Sequence, residues 1–468
     1  MDEQPREYYR RLVDMAMLAG KIMIGAGAET HRAEDTILHI LATSNFTHAD
    51  ACVLSTFITI TLSDPRYKTI SITRRLYGGS TNFYKVYATN NVSRDFCSGK
   101  ITIDEAEKKL YQIENAKIYG NFMLLIAHIL ACMGFSIVFG GGLYEAAVSF
   151  FCGLFIGIEN LFLAKKIKKS FITTLLCAVT ITVTAVGISY AASLLFSLNI
   201  GCQYVIVGSI MPLVPGVAIT NAIRDTMQGD YVSGVARAME AFMIAAAVGL
   251  GVAFGFKINE WIGFPLDVKF SLDNMLSMGW HAVAAVIATF IAICGFCLIF
   301  STPVKILFVI ASNAALCWIV YLVGTYLGAT EIWATFFGAV IVDIISQILA
   351  RKMKVPVTVL FIGGVLPLVP GYSIYRVAYD MILGGNTSAS LTQTLLLAGG
   401  IALAVLVTDT VLDIIHRTIK YAMIKMLKQI AETNTLILKG GAIGNIRKFV
   451  FVFLFAIDIF KILCYNII

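Results

Sequence analysis

Charge is scarce in this sequence, and the scarcity is uneven. Charged residues make up 14% of the 468 positions and apolar ones 58%, where a soluble domain carries roughly 25% and 45–50%. Residues 1–120 hold 15 Lys/Arg and 14 Asp/Glu, an ordinary soluble density, but the 348 residues that follow hold only 21 and 15. A single soluble globule is thereby excluded, and a domain border falls near Tyr119-Gly120. A signal-peptide pattern is also missing. Arg6, Glu7, Arg10, Arg11 and Asp14 fill the start with charge, with no short apolar core and small-residue cleavage site. The first domain is therefore expected to stay cytoplasmic. The ten cysteines lack metal-ligand spacing with histidine; seven lie in apolar segments, and Cys294 and Cys297 form a CxxC inside an uncharged helix. Metal and redox chemistry are set aside on that ground, and no cofactor is expected. The formal charge of +7 reads as positive-inside bias and not as nucleic-acid binding, because the basic residues cluster beside apolar runs.

The first 120 residues read as α+β. Helical periodicity covers 6–24 and 29–42, β-rich runs cover 53–62 and 68–76 around an Asp64-Pro65 turn, and further helices cover 83–94 and 103–114. Thr102 and Glu105 have capping-box spacing before the last of these. After Gly120 come apolar stretches of the roughly 20 residues needed to cross a ~30 Å hydrocarbon core. They are read as 122–142, 143–164, 171–197, 201–222, 236–256, 279–300, 304–327, 332–350, 355–378 and 391–413. The fold class is thus an all-α polytopic membrane protein of about ten spans behind a soluble α+β domain. Its parts are the domain 1–120, a first membrane half 121–256, an extracytoplasmic loop 257–278, a second half 279–413, and a basic tail 414–468 with an apolar end. Lys165, Lys166, Lys168, Lys169, then Arg351, Lys352, Lys354, then Arg417, Lys420, Lys425 and Lys428 all fall on the cytoplasmic side in that count.

The membrane region contains itself twice. Met211-Pro212-Leu213-Val214-Pro215-Gly216 returns as Leu366-Pro367-Leu368-Val369-Pro370-Gly371, 155 positions later, with Gly208/Gly363, Ile219/Ile374, Asp225/Asp380, Gly229/Gly384 and Ser233/Ser388 in the same register. A second match, offset by 186, pairs Glu145, Phe150, Phe151, Leu163, Ala164 and Lys166 with Glu331, Phe336, Phe337, Leu349, Ala350 and Lys352. The difference of one helix plus a loop places an extra span near 171–197 in the first half. The 155 register makes the halves inverted and the 186 register makes them parallel, so the direction stays open here. Duplicated membrane halves are typical of secondary transporters, with the site between the repeats.

Proline has no N–H, so Pro212 and Pro215 should free the carbonyls of Gly208 and Met211, and Pro367 and Pro370 those of Gly363 and Leu366. Broken helices of this kind sit where they line a cavity. Each break also makes a new helix start, at Gly216-Val217-Ala218 and at Gly371-Tyr372-Ser373, whose N–H groups attract a carboxylate. The plain alternative is a proline kink. Asp225 and Asp380, each nine residues after a motif glycine, are candidates for gating or proton coupling, with a solvated cap as the alternative. Asp343 lies mid-span with Gln347 one turn on, and an intramembrane acid usually faces the bundle interior and marks a pathway. Asn160, Asn313 and Glu240 are weaker candidates. In the first domain, Glu29 and Arg32, and His31 and Asp35, are one helical turn apart at the start of a helix. No nucleophile–base set is visible, and Gly25-Ala26-Gly27-Ala28-Glu29-Thr30 is too weak a glycine pattern for a nucleotide.

The run GAGAETHRAEDTI from Gly25, with MPLVPGVAITNAIRD from Met211 and its echo LPLVPGYSIYRVAYD from Leu366, resembles the threonine/serine exporter family. The resemblance covers about 10–256 and 279–413. It implies a carrier whose functional cluster includes Glu29, Thr30, Arg32, Glu34 and Asp35, and it implies coupling to protons. In some members the two halves are separate chains, one such pair associated with succinate export. The sequence is therefore read as a proton-coupled secondary exporter of threonine, serine or a similar small polar metabolite in the cell membrane. A dicarboxylate exporter and a membrane enzyme with a cytoplasmic head are the alternatives, and a homo-oligomer is left open.

Overall fold

The computed structural model describes residues 3–167, 170–264, 279–383 and 385–439. In the N-terminal domain α1 (Glu3–Gly25) and α2 (Thr30–Ala42) pack on a three-stranded antiparallel sheet, β1 (His48–Val53), β2 (Phe57–Asp64) and β3 (Tyr67–Arg75), in the order β1-β2-β3. The run 53–62 expected as one strand is two, because Leu54 and Phe57 close a tight turn between them. β2 alternates, with Ile58, Ile60 and Leu62 fully buried, while Thr59 and Thr61 pair across the outer face with Thr73 and Ser71. The Asp64 carboxylate closes the β2–β3 hairpin on the Arg66 N–H and guanidinium, which hold it below the usual carboxylate range. α3 (Phe83–Cys97) and α4 (Ile103–Asn115) complete the domain, and Thr102 with Glu105 forms the expected capping box.

The helical region follows as α5 (Asn121–Val138), α6 (Leu143–Lys166), α7 (Ser170–Phe196), α8 (Cys202–Ile210), α9 (Gly216–Met227) and α10 (Tyr231–Ile262). The second half holds α11 (Trp280–Ile299), α12 (Val304–Tyr326), α13 (Glu331–Met353), α14 (Val357–Val365), α15 (Gly371–Leu383) and α16 (Thr387–Lys439). A 3-10 turn, Met211–Leu213 or Leu366–Leu368, ends α8 and α14. Among the described residues eight helices are long and apolar enough to cross a membrane, and a ninth crossing arises if Cys202–Leu213 and Gly216–Met227, bent by 53°, count together. The expected span 355–378 begins with Val357–Leu368, which is shorter and apolar. This is a multi-pass membrane protein. α10 continues through Ile262, so 257–262 is helix and not loop; the rest of the expected loop, 265–278, lies outside the described residues, as does the apolar end from 440. The expected tenth span and basic tail helix are one continuous helix, α16.

Side-chain contacts fix the direction of each helix. Gln393 donates to Glu331 and Gln347 donates to Asp409, so α13 and α16 run parallel. Gly251 lies on Leu175 and Ala178, and Gly255 on Thr182, so α7 and α10 also run parallel. Arg237 at the start of α10 meets Ala28 of the N-terminal domain, while Asp343, just past the middle of α13, comes toward the same end through Arg224. α7 and α10 therefore run away from the N-terminal domain and α13 and α16 toward it. The broken pairs between them run oppositely too. α5 and α11 cross antiparallel on small residues, Gly134 against Ala288 and Ala292, Gly295 against Ala127 and Ala131.

The two halves are thus inverted repeats of five elements each. A single register near 155 carries all five, so the span at 171–197, α7, is not extra but the counterpart of α13. Glu145 and Glu331 match at 186 because both start a helix at the far end: Glu145 accepts from the Gly142 and Gly201 N–H groups, and Glu331 accepts from Gln393.

Candidate functional site

The two PLVPG breaks touch each other at the centre of the inverted pair, and their contacts are reciprocal. A Cβ on Gly216 would lie 3.3 Å from Leu366 and 3.4 Å from Val369; one on Gly371 would lie 2.4 Å from Met211 and 3.2 Å from Val214. Met211, Val214 and Gly216 correspond by the 155 offset to Leu366, Val369 and Gly371, so the two-fold relation passes between the breaks.

The local chemistry differs from the sequence expectation in one respect. The Met211 carbonyl accepts from the Val214 N–H at 3.1 Å and the Leu366 carbonyl from the Val369 N–H at 3.2 Å, so the 3-10 turn satisfies both. The Gly216 and Gly371 N–H groups are likewise used, on Val214 and Val369. The first bonds of the following helices are Ile219 to Pro215 and Ile374 to Pro370, so the helix-start donors include Val217, Ala218 and Ser373. Pro212, Pro215, Pro367 and Pro370 act by shaping these turns. A cavity of about 50 Å³ lies against the second break, lined by Trp318, Tyr321, Glu331, Pro367, Pro370 and Ser373 among others. At roughly 10–15 Å³ per water it holds only a few waters, less than an amino acid needs. The buried Trp318 indole N–H has no hydrogen-bond partner among the described residues.

A second constellation seals the end that meets the N-terminal domain. α1 ends in the Gly25–Glu29 turn, where Gly27 takes φ +82°, a left-handed conformation suited to glycine, beside Thr81. This turn is pressed onto α9 and α10. Asn221 donates to the Gly27 carbonyl (2.8 Å) and Arg237 to the Ala28 carbonyl (2.6 Å). The Thr30 backbone N–H and hydroxyl both donate to Asp225 (3.1 and 2.9 Å), and the hydroxyl also reaches Asp230. Arg237 pairs with Asp225 at 3.2 Å. Arg224 donates to Glu29 at 3.0 Å and to Asp343 at 3.4 Å, its guanidinium 4.7 Å from the Phe361 ring. Gln347 then bridges Asp343 (3.5 Å) and Asp409 (2.6 Å). Glu29, Asp225 and Asp343 are 2%, 0% and 0% exposed, so each needs a partner, and each has one.

The predicted site residues therefore divide. Glu29, Thr30, Asp225 and Asp343 come together in one network. Arg32 lies 3.7 Å from Glu29 at its edge. Glu34 instead accepts the Val53 N–H, tying α2 to β1, and burial there raises its carboxyl pKa. Asp35 pairs with His31 on the exposed face. Asp380 occupies the place equivalent to Asp225 at the far end, held by Ser390 and, at 3.8 Å, by Arg376. Of the weaker candidates, Asn160 bonds His128 and Asn313 bonds Ser346 within the bundle, and Glu240 is exposed. Arg224 and Arg237 escaped the sequence reading, although a buried acid such as Asp343 demands a cation and these are the two arginines that closely follow the first break.

Two family profiles match the chain. "Putative threonine/serine exporter" covers residues 14–259, and "Threonine/Serine exporter, ThrE" covers 285–411. A threonine/serine exporter of Corynebacterium glutamicum is 24% identical over 407 residues, 84% of this chain and 81% of that protein. A probable threonine/serine exporter of Mycobacterium tuberculosis is 19% identical over 400 residues, 84% of this chain and 74% of that one. Pheromone-regulated membrane protein 10 of Saccharomyces cerevisiae is 22% identical over 260 residues, 54% of this chain and 32% of its own length. No solved structure matches. The inverted halves, their paired breaks and these matches lead to one conclusion: the chain belongs to the threonine/serine exporter family.

Proposed function

We propose that the protein exports threonine and serine from the cytoplasm by alternating access, with the substrate held between the two PLVPG breaks and protons as the coupling ion. The reciprocal packing of the breaks across the inverted repeat carries this reading. Inverted halves give two exchangeable conformations, and the contact between them is the place a rocking motion opens. Each broken pair counts as one crossing, which makes ten. Lys166, Arg351 and Lys352 lie in the last turns of helices on the side of the N-terminal domain, and positive-inside bias supports a cytoplasmic location for that domain. Pro212, Pro215, Gly216, Pro367, Pro370 and Gly371 shape the substrate path between the breaks. Asp343, shared between Arg224 and Gln347, is the proton-carrying acid, and Asp225 and Asp380 hold the two gates.

Threonine and serine are favoured over a dicarboxylate by what the bacterial relatives are described as exporting. An enzyme head is disfavoured because Glu29 and Thr30 are buried against α9 and α10 and present no open cleft. The test is efflux from proteoliposomes loaded with threonine, serine or succinate, with and without a pH gradient. Saturable efflux of threonine and serine, accelerated by the gradient, is expected; efflux of succinate alone, or of none of the three, overturns the reading.

A further inference from the structure

Arg224 is a buried cation of the site, as is Arg237, and its donors are only partly used. One nitrogen bonds Glu29 well at 3.0 Å, the other reaches Asp343 at 3.4 Å, and the Nε–H has no hydrogen-bond partner among the described residues. A guanidinium can grip a carboxylate bidentately through two parallel N–H donors, so this one holds Glu29 by a single bond and keeps capacity in reserve. Phe361, stacked at 4.7 Å, fixes the plane of the group.

The carboxylate it holds is not part of the helical region. Glu29 arrives on the Gly25–Glu29 turn, and polar bonds join the turn to that region: Asn221 to Gly27, Arg237 to Ala28, Thr30 to Asp225. Such bonds can be exchanged for water or for ligand groups, unlike a packed apolar core. Glu29 also has a second cation ready, Arg32, one helical turn along and 29% exposed, whose Nε faces it at 3.7 Å and makes no hydrogen bond among the described residues. On the other side Asp343 and Asp409, bridged by Gln347, have Arg224 as their nearby cation among the described residues. A negative tether therefore sits on a buried cation, Arg224, next to two acids that share that cation.

We propose that Arg224 is the residue that recognises the α-carboxylate of the transported amino acid, and that Glu29 is a tethered carboxylate holding that place when the cytoplasmic side is sealed. The substrate displaces Glu29 to Arg32, its carboxylate takes the Nη1 donor of Arg224 that Glu29 leaves, and its ammonium faces Asp343. The N-terminal domain thus serves as a competitive gate. It also bonds the second half, through the Phe83 N–H on the Phe300 carbonyl and the Tyr119 hydroxyl on the Thr302 carbonyl, so its release is coupled to both repeats. This inference rests on the exporter reading above and deepens it by naming the group that selects an amino acid.

The test is equilibrium binding to the full-length protein in nanodiscs, with L-threonine and with L-threoninol, which lacks the carboxylate. Wild type should prefer threonine by roughly 10- to 150-fold, the worth of a charge-assisted hydrogen bond. Glu29→Gln keeps the shape but weakens the competitor, and should tighten threonine about fivefold while leaving threoninol unmoved. Arg224→Gln should erase the preference. Where that variant fails to fold, the Glu29→Gln result on the two ligands decides. Threonine binding unchanged in Glu29→Gln, or both ligands shifted alike, overturns the gate while the exporter reading stands on its efflux. Binding seen only in Glu29→Gln supports the gate. Binding in neither protein overturns the gate together with threonine as substrate.

Discussion

Adding a single methyl group at Gly371 should impair transport more than adding one at Gly216, although the two positions are equivalent in the repeat. The contact between the breaks explains the asymmetry: a Cβ on Gly371 meets the Met211 sulfur at 2.4 Å, whereas one on Gly216 meets the Leu366 methyl at 3.3 Å. The first must displace Met211, and the second needs a shift of a few tenths of an ångström. Overpacking of this size costs about 1–3 kcal/mol, and it falls only on the state in which the breaks are closed on each other. An alternating cycle that visits that state should then lose about 5- to 150-fold of its population. Gly371→Ala is accordingly expected to slow threonine efflux from proteoliposomes by at least fivefold, and Gly216→Ala by less than about twofold. Met211→Ala removes the obstructing side chain and should restore part of the loss, a coupling of about 1 kcal/mol or more in a double-mutant cycle. Folded protein recovered in detergent should stay near wild type in all three. Equal effects at the two glycines, or no rescue by Met211→Ala, would refute the closed contact between breaks.

Two further outcomes follow from other parts of the molecule. A cysteine placed at the exposed Lys166 should be labelled from the cytoplasmic side only, and one at the exposed Trp261 from outside only; the reverse pattern would overturn the orientation. Burial raises the Glu34 carboxyl above its unfolded value, so it contributes stability at low pH that is lost as pH rises from the ordinary glutamate range. Glu34→Gln keeps an oxygen for the Val53 N–H and removes that dependence. The melting temperature of the full-length variant should therefore be unchanged or higher at pH 7.5, and flatter between pH 4.5 and 7.5; a lower melting temperature at pH 7.5 contradicts the assignment.

Legibility in the sequence followed the physics of each part. The membrane helices were readable because hydrocarbon demands long uncharged runs, and the borders of α5, α6, α7, α11, α12 and α13 lie within a few residues of those expected, whereas α10 and α16 run on past them. The breaks were readable because proline removes a donor, but their carbonyl chemistry was not. A 3-10 turn recovers the Met211 and Leu366 carbonyls with the N–H three residues on, which the proline rule by itself ignores. Direction stayed open in the sequence because Glu145 and Glu331 share a position at helix starts, and similarity of local role imitated a second register. The split of 53–62 into two strands was hidden by its continuous β propensity. The site was half visible. Asp343 and Glu29 each stood out, one as an acid in an apolar helix and the other in a glycine turn. Their link runs through Arg224, 195 residues from Glu29 and 119 from Asp343. Nothing in local spacing joins residues so far apart, and only the fold brings the three together.

The central claim is that the two breaks must part for the substrate to pass, and a cross-link between them tests it most directly. In a background without other cysteines, Gly216→Cys with Val369→Cys places two thiols across the contact, where a Gly216 Cβ lies 3.4 Å from the Val369 side chain. Oxidation should join them and stop threonine efflux, reduction should restore it, and threonine present during oxidation should slow the joining. Efflux at an unchanged rate from fully cross-linked protein would contradict the account.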